Sequence, residues 1–262
     1  MIEQAAMFGD GAAYERRVGR WSRLAGEVFL DWIDLQKGLS WLDIGCGSGA
    51  FTELLIERCA PAAVSAIDPS EAQLAYARTR PGAKRAQFRH GDAQNLAFAD
   101  DSFDATAMAL VIQFIPDPVK AVAEMARVVR PGGMVGAYVW EHEGRGAPFH
   151  PMHDAIEALG IAVPMPSREI ARRESLHALW EKVGLQSVDT RVIRFPVVYS
   201  DFDDFWISNS APDGPRGQIM RDMSPQMREK LRAHLLDRLS IGPDGRIVYE
   251  AVANAVKGRV PS

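Results

Sequence analysis

The sequence predicts a doubly wound α/β fold whose ligand lies at the carboxyl ends of a parallel sheet. Three observations carry this. A short apolar run breaks into glycines at alternate positions and then resumes with helical spacing, between Trp41 and Arg58. From residue 40 onward, strand-like and helix-like patterns alternate. The apolar run from Ala105 to Phe114 shows no polar alternation, as a strand buried on both faces of a parallel sheet should.

Composition sets the bounds. The chain has 262 residues, 47% of them hydrophobic, enough for one large domain or for a core with a small cap. A net charge of −4 and a pI of about 5.9 argue against a general phosphate-binding surface and so against a nucleic-acid partner. The two cysteines, Cys46 and Cys59, suggest neither a disulfide framework nor a metal site. No secretory segment follows Met1, and no apolar run is long enough to span a bilayer, so a cytoplasmic protein is expected.

Residues 1–38 read as an N-terminal cap. Tyr14 to Arg23 is polar with interleaved aromatics, and Ser22 to Ile33 is an amphipathic helix with Leu24, Val28, Leu30 and Ile33 as candidate buried positions. Trp41 to Ile44 is the first strand and Phe51 to Arg58 the helix after it. Between them, Gly45, Gly47 and Gly49 leave a turn free of side chains, so a ligand can lie against the backbone and meet the N–H groups at the helix start. Counted from Gly45, the spacing also admits a dinucleotide fingerprint, with Ala50 in sixth place. Asp43 separates the two readings. A carboxylate two residues before the first glycine repels a pyrophosphate and suits an ammonium or sulfonium group.

The segment Asp43-Ile44-Gly45-Cys46-Gly47-Ser48-Gly49 resembles the first motif of the class I S-adenosylmethionine-dependent methyltransferases. The nearest flavour is the small-molecule branch that includes the ubiquinone and menaquinone methyltransferases, and the resemblance runs from about Leu39 to Trp140. It implies S-adenosylmethionine as cofactor and a small methyl acceptor reacting through oxygen, nitrogen or carbon. It also implies a seven-stranded, mostly parallel sheet with an N-terminal helical segment and lid insertions. Asp43, Gly45, Cys46, Gly47 and Gly49 would then hold the cofactor. The N-terminal segment would fold over the cleft, Arg20 pairing with the cofactor's carboxylate and Tyr14 or Trp21 closing the site; a solvated basic helix end with Trp21 in the core is the other reading.

Val64 to Asp68 is the second strand, and Pro69-Ser70-Glu71 opens a helix that carries Gln73. An acid at this strand end can accept both hydroxyls of a ribose, which fits NAD as well. Pro69 and Gln73 join Asp68 as cofactor candidates. Ala86 to Arg89 is the third strand. In the resembled family the acid of the following Gly-Asp-Ala segment accepts from the adenine amino group, and the next N–H reaches the ring; Asp92 and Ala93 stand there. The loop after the fourth strand lies beside the transferable methyl group in that family, which makes Ala109 and Leu110 candidates for backbone contact. Gln113 stands where quinone-type relatives often carry a histidine, so a general base at this point is in doubt.

Pro118 to Val129 has helical period, Arg130-Pro131-Gly132-Gly133 ends it, and Met134 to Trp140 is the fifth strand, closing a cofactor-binding core over residues 39–140. Residues 141–170, rich in Gly and Pro, read as an irregular lid with His150 and His153 as polar lid residues rather than metal ligands. Glu141 and His142, just past a strand end, are candidate general bases alongside Gln113. In the remaining part, residues 171–262, a helix from Arg172 to Val183 and a strand from Val188 to Tyr199 precede a helical insertion over residues 201–240; a last strand runs from Gly245 to Val256. The insertion's Phe202, Phe205, Trp206, Met220, Met223 and Met227 suit an apolar pocket or simple packing. Three rivals to a methyltransferase stand beside it: a nicotinamide oxidoreductase, a nucleic-acid methyltransferase, and a non-catalytic cofactor-binding or interaction module.

Overall fold

The computed structural model describes residues 19–164, 167–210 and 214–262. Seven strands form one sheet: β1 (Ser40–Ile44), β2 (Ala63–Asp68), β3 (Ala86–His90), β4 (Phe103–Ala109), β5 (Val129–Trp140), β6 (Gln186–Tyr199) and β7 (Ile247–Arg259), in the order β3-β2-β1-β4-β5-β7-β6. The first five are parallel, and β7 runs antiparallel to both β5 and β6. The chain winds outward from β1 to β3 and then crosses to β4 on the other side. The carboxyl ends of β1 and β4 therefore flank the reversal of strand order, where such sheets open a crevice.

Both faces are covered, and neighbouring residues on a strand divide between them. On β1, Trp41 packs with α1 (Arg20–Ile33) and α2 (Ala50–Cys59), while Leu42 and Ile44 pack with α4 (Pro118–Val128) on the other face. On β5, Met134, Tyr138 and Trp140 take the first face and Val135, Ala137 and Val139 the second. The period of two of a strand thus meets helices on both sides. The second face is completed by α6 (Arg173–Lys182), whose Trp180 Nε1 donates to the Val135 carbonyl at 3.0 Å. The remaining helices are α3 (Glu71–Ala77), α5 (His150–Ala158), α7 (Phe202–Asn209), α8 (Gly214–Asp222) and α9 (Pro225–Arg238).

The helix α1 buries a face rotated from the expected one. Trp21, Ala25, Gly26, Phe29, Leu30 and Ile33 are buried, and Leu24 and Val28 only half so. Gly26 explains the rotation, because a Cβ there would lie 2.7 Å from Leu54 and 3.2 Å from the Tyr138 hydroxyl. The helix can approach α2 only along that stripe. Phe29 then packs, tilted, against Phe51 and Tyr138 at ring distances of 6.1 and 4.9 Å.

Three other expectations change. The fourth strand stops at Ala109 instead of running to Phe114: Leu110 takes φ +64° and Ile112–Phe114 is a short 3₁₀ turn. An apolar run cannot by itself distinguish a strand from a buried turn. The fifth strand begins at Val129, directly after α4, with Arg130 to Gly133 inside it. The stretch 141–170 is not irregular throughout, because α5 holds His150 to Ala158, with His150 and His153 buried instead of solvated.

Candidate functional site

The turn between β1 and α2 sits at the strand-order reversal. Gly45, Gly47 and Gly49 all have positive φ (72°, 49° and 78°), so each escapes the Cβ penalty of that region. Their surroundings differ. A Cβ on Gly45 would lie 2.5 Å from Val111 and one on Gly49 2.9 Å from Ala77, so packing alone demands these two glycines. A Cβ on Gly47 would meet only the Gln73 Oε1, at 3.9 Å, so that face of the turn is open.

Within the turn four amides are already engaged, so the N–H groups left for a ligand are those that open α2. The amides of Gly45 and Cys46 both donate to the Ile67 carbonyl, at 2.8 and 2.9 Å, and that of Gly49 to the Cys46 carbonyl at 2.8 Å. The Gly47 amide donates to Asp68 Oδ2 at 2.8 Å. Beside these amides the turn presents acid. Asp43 is fully buried; its Oδ2 accepts from the Thr52 hydroxyl at 2.6 Å, and its Oδ1 has no hydrogen-bond partner among the described residues. Burial lifts its pKa to about 7, against the Thr52 hydrogen bond, and the nearby Asp68 adds to the rise.

Asp68 ends β2, nine-tenths buried. Its Oδ1 accepts from the Ser70 amide at 2.8 Å, and its Oδ2 from Gly47, which leaves each oxygen one further lone pair. Burial raises its pKa, while the two amide bonds hold it down. The Cys46 thiol is raised well above its ordinary value by burial and by both carboxylates, so it is an inert part of the turn. Three acid groups crowd this turn and all resist ionisation. An ammonium beside the orphaned Asp43 oxygen would favour its ionised form.

The other candidates gather around this centre. Pro69 is exposed, and Gln73 is buried with its backbone N–H donating to the Ser70 Oγ at 3.4 Å. The Gly91 amide donates to the Asp68 carbonyl at 3.2 Å, which brings Asp92 and Ala93 beside the second strand end. Asp92 closes its own turn through the Gln94 amide at 2.9 Å and keeps Oδ2 nearly unengaged, the closest donor being 3.5 Å away. At the end of β4, Ala109 is half-buried and Leu110 holds its left-handed conformation through a bond from its amide to the Tyr138 carbonyl at 2.8 Å. A non-glycine residue there costs on the order of 1 kcal/mol or more, a strain found at ligand sites. Gln113 donates to the Leu110 carbonyl at 3.0 Å, and its Oε1 has no partner among the described residues.

Two groups escaped the sequence reading. Thr52 looked like a helical filler, but its hydroxyl orients Asp43. Arg80 clamps the turn: its Nε donates to the Ser48 carbonyl at 2.6 Å, and its guanidinium pairs with Glu53 at 2.7 Å. Glu53 in turn accepts from the Gly82 amide at 2.9 Å. The one signal was Glu53, an unpaired acid one turn into α2.

The structure gives Arg20 another partner than a cofactor carboxylate. It pairs with Asp204 at 3.3 Å and donates to the Ser208 Oγ at 3.4 Å, stacked 4.2 Å from Trp21 and 4.5 Å from Tyr199. The side chain joins α1 to α7. Tyr14 lies outside the described residues. Glu141, a candidate base, ties down the loop with its carboxylate through the amides of Gly144, at 2.8 and 2.9 Å, and Gly146, at 3.2 Å. His142 is buried at 2% exposure just past β5, with its pKa brought down to about 4 chiefly by burial.

Comparison with known proteins bears on the same span. Residues 42–136 match the model of a methyltransferase domain. The chain is 36% identical over 131 residues to a malonyl-[acyl-carrier protein] O-methyltransferase of Pectobacterium atrosepticum, covering 50% of each chain. It is 37% identical over 105 residues to a demethylmenaquinone methyltransferase of Staphylococcus epidermidis, covering 39% of this chain and 44% of that one. It thus spans about half the length of these relatives or less. The whole architecture is shared with the YcgJ protein of Bacillus subtilis, at TM-score 0.56 and 18% identity over 91% of this chain and 98% of that one.

Proposed function

We propose that this chain, whose residues 42–136 are a methyltransferase domain, binds S-adenosylmethionine over its acidic glycine turn and passes the methyl group to a small, partly apolar acceptor. The observation that carries the reading is a buried Asp43 whose Oδ1 has no hydrogen-bond partner among the described residues, beside the glycine turn. Asp43 Oδ1 takes the ammonium of the cofactor, and Asp68 accepts the ribose hydroxyls on its remaining lone pairs. The open face at Gly47 admits the nucleoside close to the backbone. Asp92 and Ala93 border the adenine, and the backbone of Ala109 and Leu110 runs along the methionine part.

When bound, the cofactor supplies a methyl on a cationic sulfur, which departs as a neutral thioether when a lone pair of the acceptor forms the new bond to carbon. The chain's own task is alignment, with the reacting atoms held ~3–3.5 Å apart. No catalytic side chain is demanded for that. The relatives named above support a small or carrier-bound acceptor. A cytoplasmic location suits two free thiols. No helix among the described residues is long and apolar enough to cross a membrane.

Calorimetric titration with S-adenosylmethionine, S-adenosylhomocysteine and NADH tests the reading. Micromolar binding of the first two with a thermal shift is expected; binding of NADH alone, or no heat with either adenosyl compound, overturns it. Turnover of labelled cofactor against an acceptor panel then separates an enzyme from a binding module.

A further inference from the structure

Asp43 has no polar side chain beside it in the sheet. In strand register it lies between Ala66 of β2 and Ala107 of β4, both fully buried. Its side-chain hydrogen bond crosses the glycine turn instead, to Thr52 on the first turn of α2. Both residues are 0% exposed, so water does not stand in for that bond. A helical threonine commonly turns its hydroxyl back on a carbonyl of the preceding turn. Here those carbonyls are engaged, that of Ser48 by the Arg80 Nε at 2.6 Å and that of Gly49 by the Glu53 amide at 2.9 Å. The Thr52 hydroxyl reaches out of the helix to β1 and ties the two sides of the turn together.

The geometry suits a charged acid. An oxygen–oxygen distance of 2.6 Å lies in the range of about 2.5–2.7 Å for a hydroxyl donating to a carboxylate. Burial and the negative charge of Asp68 favour the protonated acid, and the Thr52 hydrogen bond opposes both. The other titratable groups of the turn and of the first turn of α2 add little: Cys46 is held neutral by burial, and Glu53 is paired with Arg80. The bond also decides which oxygen is left over. With Oδ2 tied to α2, Oδ1 is the end that has no partner among the described residues.

We infer that Thr52 is a positioning residue for the cofactor: its hydroxyl holds Oδ2 of Asp43, keeps that acid available as a carboxylate, and leaves Oδ1 to the ammonium. The inference rests on the cofactor reading and adds to it the group on which its working pH range depends. Without the hydroxyl, Asp43 ionises only at higher pH, and a cation that needs the carboxylate is held only there.

The test compares the full chain with Thr52→Val, which keeps the shape and loses the donor, and with Thr52→Ser, which restores the donor. In ligand-free samples the carboxyl carbon-13 resonance of Asp43 is followed from pH 5 to pH 9. The Thr52→Val midpoint should lie above the native one by about one pH unit or more, as expected for loss of a hydrogen bond to a charged group, with Thr52→Ser returning most of the way. Calorimetry with S-adenosylhomocysteine over the same range should show its rise in affinity displaced alike, so that near neutrality Thr52→Val binds about tenfold more weakly. The ligand's own ammonium titrates identically in every sample and drops out of the comparison. A threonine that only packs would change affinity by one factor at every pH and leave the midpoints in place; unmoved midpoints, or a resonance that moves without the affinity following, overturn the inference. If Thr52→Val does not fold, Thr52→Ala is read in the same way. The two readings fail separately. A native chain that does not bind S-adenosylhomocysteine sinks the cofactor reading, whereas normal binding with an unmoved Asp43 midpoint sinks only the role of Thr52.

Discussion

The two ends of the crevice are built in opposite ways. The cofactor side comes from one continuous stretch, Asp43 to Asp68 with its turns, and relies on backbone shape and two buried acids. The side beyond β5 is gathered from a strand end and from α5, and buries His142, Phe149 and His150 against one another. One side recognises a fixed cation, so its parts can sit next to one another in sequence. The other is assembled from segments that stand further apart in the chain. A fold of this kind keeps its cofactor chemistry while its acceptor pocket changes.

The contrast can be broken first at the turn. Gly45→Ala drives a Cβ into Val111 at a positive φ, and should lose about 3 kcal/mol of stability together with cofactor binding. Gly47→Ala has only the backbone strain to bear, about 1–2 kcal/mol, so it should lose far more affinity than stability. Thermal unfolding and calorimetry on the pair check this; equal losses in both variants would show that the open face at Gly47 holds nothing.

Asp43→Asn comes next. The folded pKa of about 7 lies above the ordinary carboxylate value, so between the two the native chain holds a proton that the unfolded chain has lost. Stability should therefore fall as pH rises through that window and level off above it. The Asn variant should lack this decline and be more stable at pH 8 by roughly 1–3 kcal/mol, while binding the cofactor at least tenfold less tightly. Denaturation at several pH values measures it. Arg80→Ala should cost about 1–2 kcal/mol by freeing Ser48 and Glu53, seen as a lower melting temperature with a modest loss of affinity. The smallest effect is expected at Arg20→Ala, at about 0.5–1 kcal/mol for a half-exposed pair stacked on Trp21 and Tyr199. Its cofactor affinity should stay within twofold by calorimetry; a tenfold drop would restore Arg20 to the cofactor's carboxylate.

What could be read in advance follows the same division. The glycine turn, Asp43 and Asp68 were legible because spacing along one segment determines them. The role of the turn's amides was not, since only the fold shows that Ile67 and Asp68 already occupy them. The 3₁₀ turn at Ile112–Phe114 hid inside an apolar run. The helix α5 hid among Gly and Pro, because tertiary packing overrides local propensity there. The contacts of Arg80 and Arg20 were not legible for a related reason: their partners lie 27 and 184 residues away in the chain.

The most direct test is the affinity of S-adenosylhomocysteine measured by calorimetry from pH 6 to pH 8 for the native chain and Asp43→Asn. A buried acid that must ionise to hold an ammonium gives affinity that rises through pH 7 with proton release, and the Asn variant loses that slope. Identical, pH-independent binding by the two proteins would contradict the account at its centre.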